Sequence, residues 1–77
     1  MGRKTILITF ENVSVDKVVK TLNNEGIIVL GGTAESVLID TTRHEYALAS
    51  MIHRINGGAW CKVEDISDDE ILIDSFL

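Results

Sequence analysis

The side chains able to do chemistry in this sequence are one cysteine, two histidines and a run of carboxylates near the end. Cys61 has no second cysteine at the C-x-x-C spacing and no His or Asp beside it. A thiol nucleophile needs a base and an orienting group, which here only the fold could supply. Cys61 therefore reads as a small buried hydrophobe. His44 and His53 lie nine positions apart, half a turn out of phase on one helix, so they cannot share a metal within a single chain. His44 fits a first helical turn, and His53 fits a polar face near a helix C-terminus, where positive charge is favoured. No catalytic residue, cofactor or metal ligand is expected, and the chain reads as a non-enzyme.

Glu64, Asp65, Asp68, Asp69, Glu70 and Asp74 form the densest chemical feature. Calcium favours several carboxylates, but the segment lacks the D-x-D-x-D-G register and the glycine for its sharp bend. A magnesium-dependent nuclease would need phosphate-positioning basic residues nearby, and none is present. Two readings remain beside a metal site. One is a solvated turn between edge strands, whose charges discourage edge pairing. The other is an acidic edge steering a basic partner, in imitation of nucleic acid. Trp60 is the only tryptophan and Tyr46 the only tyrosine, and aromatics anchor binding surfaces. Trp60 and Lys62 alternate with Cys61 and Val63, so helices covering Cys61 would leave Trp60 on an open sheet face. Burial of Trp60 under Phe76 and Leu77 is the alternative.

The elements that position these groups follow from hydrophobic period. Thr5–Phe10 is a β-branched and aromatic run, with Ile6, Ile8 and Phe10 expected toward the helices. Ser14 is a helix N-cap, followed by Asp16 in the first turn and Val15, Val18, Val19 and Leu22 at helical spacing. Gly26 ends that helix in the left-handed region. Ile27–Leu30 and Ala34–Asp40 are strands joined through Gly31-Gly32-Thr33, whose glycines are expected to supply positive φ. A phosphate loop would lead into a helix N-terminus, whereas these glycines lead into a strand. Thr42-Arg43-His44-Glu45 has the spacing of a capping box. Leu48, Met51, Ile52 and Ile55 stripe the helix that follows, and Asn56-Gly57-Gly58 stops it. Ala59–Ile66 alternates as a strand, Ser67-Asp68-Asp69 is a turn, and Glu70–Asp74 is expected as a last strand.

That order predicts an α+β fold, a ferredoxin-like βαββαβ two-layer sandwich with an added C-terminal strand, in one domain spanning residues 1–77. The layout resembles several small ferredoxin-like families. Heavy-metal-associated domains carry C-x-x-C in the first loop, where this chain has Glu11-Asn12-Val13-Ser14. RNA-recognition domains carry stacking aromatics on two central strands, where this chain supplies only Phe10 opposite Val37, Leu38 and Ile39. The amino-acid-binding ACT domains are similar in layout, and their glycine-containing loop after the first strand is not matched. These are likenesses of fold.

Charge and length bound the function. Residues 1–63 carry seven basic and six acidic side chains, and residues 64–77 carry six acidic and none basic, within a net charge of -5. That balance disfavours direct nucleic-acid binding. No apolar run approaches the roughly 20 residues that cross a bilayer. Met1-Gly2-Arg3-Lys4 leads straight into a strand pattern, unlike a signal peptide, and the chain is expected to be cytoplasmic. Its small core leaves room for a homodimer interface. The expected function is a non-catalytic regulatory or interaction module. It would act through the open sheet face and the acidic C-terminal hairpin, on a protein partner, a basic one where the acidic hairpin makes the contact. Its contact residues are Trp60, Lys62, Glu64, Asp65, Asp68, Asp69, Glu70 and Asp74. The alternatives are an ACT-like metabolite-binding regulatory domain and a small acidic inhibitor, of the kind mobile elements encode, occupying a nucleic-acid-binding surface.

Overall fold

A computed structural model describes residues 2–76. Four strands, β1 (Lys4–Phe10), β2 (Ile28–Gly32), β3 (Ser36–Thr41) and β4 (Cys61–Asp65), alternate with helices α1 (Val15–Asn24) and α2 (Glu45–Ile55). A third helix, α3 (Glu70–Phe76), follows. The strands form one antiparallel sheet in the order β2-β3-β1-β4. This is an α+β domain of sheet and helix layers, and none of its helices among the described residues is long and apolar enough to cross a membrane.

Period-two alternation along β1 buries Ile6, Ile8 and Phe10 on one face, with Val37 and Ile39 of β3 beside them. Val18 and Leu22 of α1 and Leu48, Met51 and Ile52 of α2 close over those residues as a single apolar cluster. Each such side chain, fully buried, contributes about 1.5–3 kcal/mol relative to exposure. The valines of α1 are poor helix formers, so this packing is what holds the helix. Ser14 caps it, its hydroxyl accepting from the Lys17 amide at 3.3 Å, and Gly26 follows at φ 76°.

The structure departs from the sequence reading in three places. Residues 70–74, expected as an added strand, belong to α3. A short apolar run does not by period alone separate strand from helix. Here Asp69 decides, its carboxylate accepting from the Leu72 amide at 3.0 Å and its carbonyl from the Ile73 amide at 3.0 Å. The chain end at Leu77, expected to continue that strand, lies outside the described residues, as does Met1.

The hairpin between β2 and β3 does not turn on positive-φ glycines. Among the described residues positive φ occurs at Asn12, Gly26, Gly57 and Gly58. Gly31 and Gly32 extend β2 past a bulge, and hydroxyls close the turn. The Thr33 amide donates to the Ser36 carbonyl at 2.8 Å, and the two hydroxyls share a 2.8 Å hydrogen bond. Finally, Thr42 does not cap α2. The helix starts at Glu45 with His44 as its N-cap, Nδ1 of the imidazole accepting from the Tyr46 amide at 3.0 Å.

The sheet's second face is partly covered. Gly31 pairs with Leu38, and Leu38 with Leu7, so all three share the face away from α1 and α2. A Cβ at Gly31 would come within 2.7 Å of the Phe76 carbonyl oxygen, which puts the end of α3 on that face. The chain leaves the sheet at the β4 edge and reaches β2 at the other edge, so α3 crosses the sheet. Leu38 lies under it, fully buried although outside the helix-side cluster.

Candidate interaction surface

The predicted contact residues gather along β4 and the turn into α3. Cross-strand register sets their faces. Thr9 pairs with Lys62 and Leu7 with Glu64, which places both charged residues on the α3 side of the sheet. There they form an ion pair at 3.3 Å with both side chains about half exposed. Trp60 precedes β4 on the same face, its carbonyl accepting from the Glu11 amide at 3.1 Å. Trp60 is 51% exposed. Burial beneath Phe76 is therefore corrected: that residue sits against Gly31 at the far edge, and Leu77 lies outside the described residues. Trp60 instead borders a cleft of about 360 Å³ that Glu11, Asn12 and Glu35 also line. Tyr46 is 78% exposed on the first turn of α2, as its place outside the apolar stripe predicts.

The carboxylates do different local work. Asp65 accepts from the Ser67 hydroxyl at 2.6 Å and from its amide at 3.0 Å, and these two bonds hold its carboxyl below the usual aspartate range. The same Ser67 hydroxyl accepts from the Thr5 amide at 3.0 Å, tying the turn to β1. Asp69 caps α3, and Glu70 lies in that helix's first turn, where negative charge suits the dipole. Asp68 and Asp74 are exposed. Residues 64–72 border an open depression of about 830 Å³. Among the described residues, none of Asp65, Asp68, Asp69, Glu70 and Asp74 has a cationic partner within 4.0 Å; the ion pairs are Arg3–Asp40, Arg43–Glu25 and Lys62–Glu64. The acidic hairpin expected here is thus an acidic turn and helix. Asp68 and Asp74 are exposed and have no cationic partner among the described residues.

Two features escaped the sequence reading. Cys61 Sγ lies 3.4 Å from His53 Nε2, so the fold does bring a base to the thiol. A histidine next to a cysteine is how nucleophilic thiols are activated. Burial nevertheless pushes the Cys61 thiol up, so it is protonated at neutral pH, and among the described residues no side chain orients the imidazole. The pair is a hydrogen-bonded contact at the sheet edge. Among the described residues no three His, Cys, Asp or Glu side chains gather as metal ligands. The i, i+8 relation of residues 53 and 61 across a helix stop and a strand start was the only sequence signal for this contact.

The second feature is Asn56, 1% exposed. Its Nδ2 donates to the carbonyls of Glu11 and Ala59, both at 3.2 Å, and of Trp60 at 3.4 Å. The Asn12 side-chain Nδ2 in turn donates to the Asn56 carbonyl at 3.0 Å, with Asn12 in the left-handed conformation. This polar knot clamps the loop before α1 to the loop before β4 and so sets the position of Trp60.

No known protein-family model, curated protein or solved structure matches the chain.

Proposed function

We propose that this protein is a non-catalytic regulatory module that binds a basic protein surface through the acidic turn and helix of residues 68–74. The observation that carries the reading is the set of exposed carboxylates on one short segment that have no cationic partner among the described residues. Carboxylates so placed retain their field toward solvent and steer a basic partner, whereas self-paired ones would not. The same chemistry suits occupation of a surface that otherwise holds nucleic-acid phosphates, which makes an inhibitor of such a surface the closest variant of this reading. The protein acts in the cytoplasm in this account. Its fold is ferredoxin-like, a reading supported by the element order β1-α1-β2-β3-α2-β4 and by the strand order β2-β3-β1-β4.

The test compares wild type with the triple variant Asp68→Asn/Asp69→Asn/Glu70→Gln as bait. Asn at position 69 keeps the cap on α3, so charge changes while the helix stays. The expected result is a basic protein retained by wild type, released as ionic strength rises, and lost with the variant. A partner held equally by both baits and indifferent to salt would sink the proposal.

A further inference from the structure

We infer that the free edge of β4 pairs with β4 of a second copy of this chain, antiparallel about a two-fold axis through Val63. The backbone gives the register. In the β1–β4 ladder the Glu11 amide donates to the Trp60 carbonyl and the Ile66 amide to the Thr5 carbonyl. Antiparallel ladders alternate hydrogen-bonded and non-hydrogen-bonded pairs. Residues 60, 62, 64 and 66 therefore direct their N–H and C=O groups toward β1, and residues 61, 63 and 65 direct theirs outward. Among the described residues no hydrogen bond reaches those outward groups. They form a row of donors and acceptors able to template another strand.

The side chains make that strand a copy of itself. A two-fold axis at Val63 sets Cys61 against the partner's Asp65 as a hydrogen-bonded pair. It sets Lys62 against the partner's Glu64 in the closer, non-hydrogen-bonded position, and the reverse on the other side of the axis. One step outward, half-exposed Trp60 comes beside the backbone of the partner's Ile66, whose side chain is already buried in its own chain. The face of β4 with its flanking residues, reading Trp60, Lys62, Glu64 and Ile66, is thus self-complementary: opposite charges meet in the middle, apolar groups at both ends. Opposite-charge and apolar cross-strand pairs are what stabilise a sheet. A shift of the axis by one residue in either direction would put Lys62 or Glu64 opposite its own copy, so charge selects the register. The opposite edge lacks such a device, because β2 carries a bulge and ends in two glycines. On the helix side, α2 packs over β4, so the two copies of α2 come alongside each other and enlarge the interface beyond the five-residue ladder.

This extends the interaction-module reading to a second surface and is tested separately, because it rests on residues 60–66 and not on the carboxylates of residues 68–74. The experiment is solution mass by sedimentation and light scattering over a concentration series, on the full chain and on Lys62→Glu and Glu64→Lys. The proposal expects a wild-type dimer and a dimer constant weakened by roughly tenfold or more in each single variant, where like charges now face each other. Mixing the two variants in equal amounts should restore dimer mass, since one chain then offers only acidic and the other only basic partners at these positions. Recovery in the mixture also shows that both variants fold. A wild type that stays monomeric at every concentration, variants that dimerise as tightly as wild type, or a mixture that stays monomeric would each overturn the inference.

Discussion

At the residue scale the molecule depends on Asn56 more than on any group with catalytic potential. Three backbone carbonyls from two loops converge on its amide nitrogen. Asn56→Ala strips those bonds from the two loops, a loss of about 1–3 kcal/mol, read as a lower chemical-denaturation midpoint with an unchanged slope. Asn56→Asp should cost more at neutral pH, because a carboxylate would face the same carbonyls. Burial raises that carboxyl's folded pKa, so the extra loss should shrink as pH falls and the acid becomes neutral. Equal midpoints for the two variants at pH 7 would remove the knot from this account. Sequence reading treated Asn56 only as a helix stop. Its second role depends on loops 45 residues apart, from Glu11 to Asn56, which no local pattern carries.

At the element scale the four strands of the sheet, both long helices and the helix-side core are legible, because each has a period of its own. Ile6, Ile8 and Phe10 alternate, Val18 and Leu22 fall at helical spacing, and each set lies buried on its expected face. The illegible part was the second face of the sheet. Glu70–Asp74 is too short for its period to speak. The signals that would have decided were Asp69 as a cap and Leu72, Ile73 and Phe76 at i, i+1 and i+4. Gly31 likewise has the sequence setting of a turn glycine, whereas it opens space for the Phe76 backbone. That gives a test of α3. Gly31→Ala should displace the end of the helix, costing about 1–3 kcal/mol through overpacking. Amide hydrogen exchange should then speed up over residues 70–76 while α1 and α2 remain protected. Uniform protection would mean that α3 does not dock on β2.

At the scale of the whole molecule, charge is segregated: a body near neutrality carries an acidic segment that begins at Glu64. The segregation separates the two proposed contact surfaces on neighbouring stretches of chain, one dominated by carboxylates without cationic partners among the described residues and one by a balanced strand edge. The strand order β2-β3-β1-β4 has a different consequence, for how the chain reaches this state. Cut in the turn at Thr33–Glu35, the first segment holds β1 and β2 and the second holds β3 and β4, and in the sheet the strands of the two alternate. Every strand–strand border therefore lies between the segments and none lies within either. Neither segment has a sheet to fold into alone, so unfolding should be a single transition for every probe. Prepared separately, peptides 1–33 and 34–77 should each be unstructured by circular dichroism, and an equimolar mixture should regain the sheet. The protein is a zip whose two tapes are consecutive lengths of one chain.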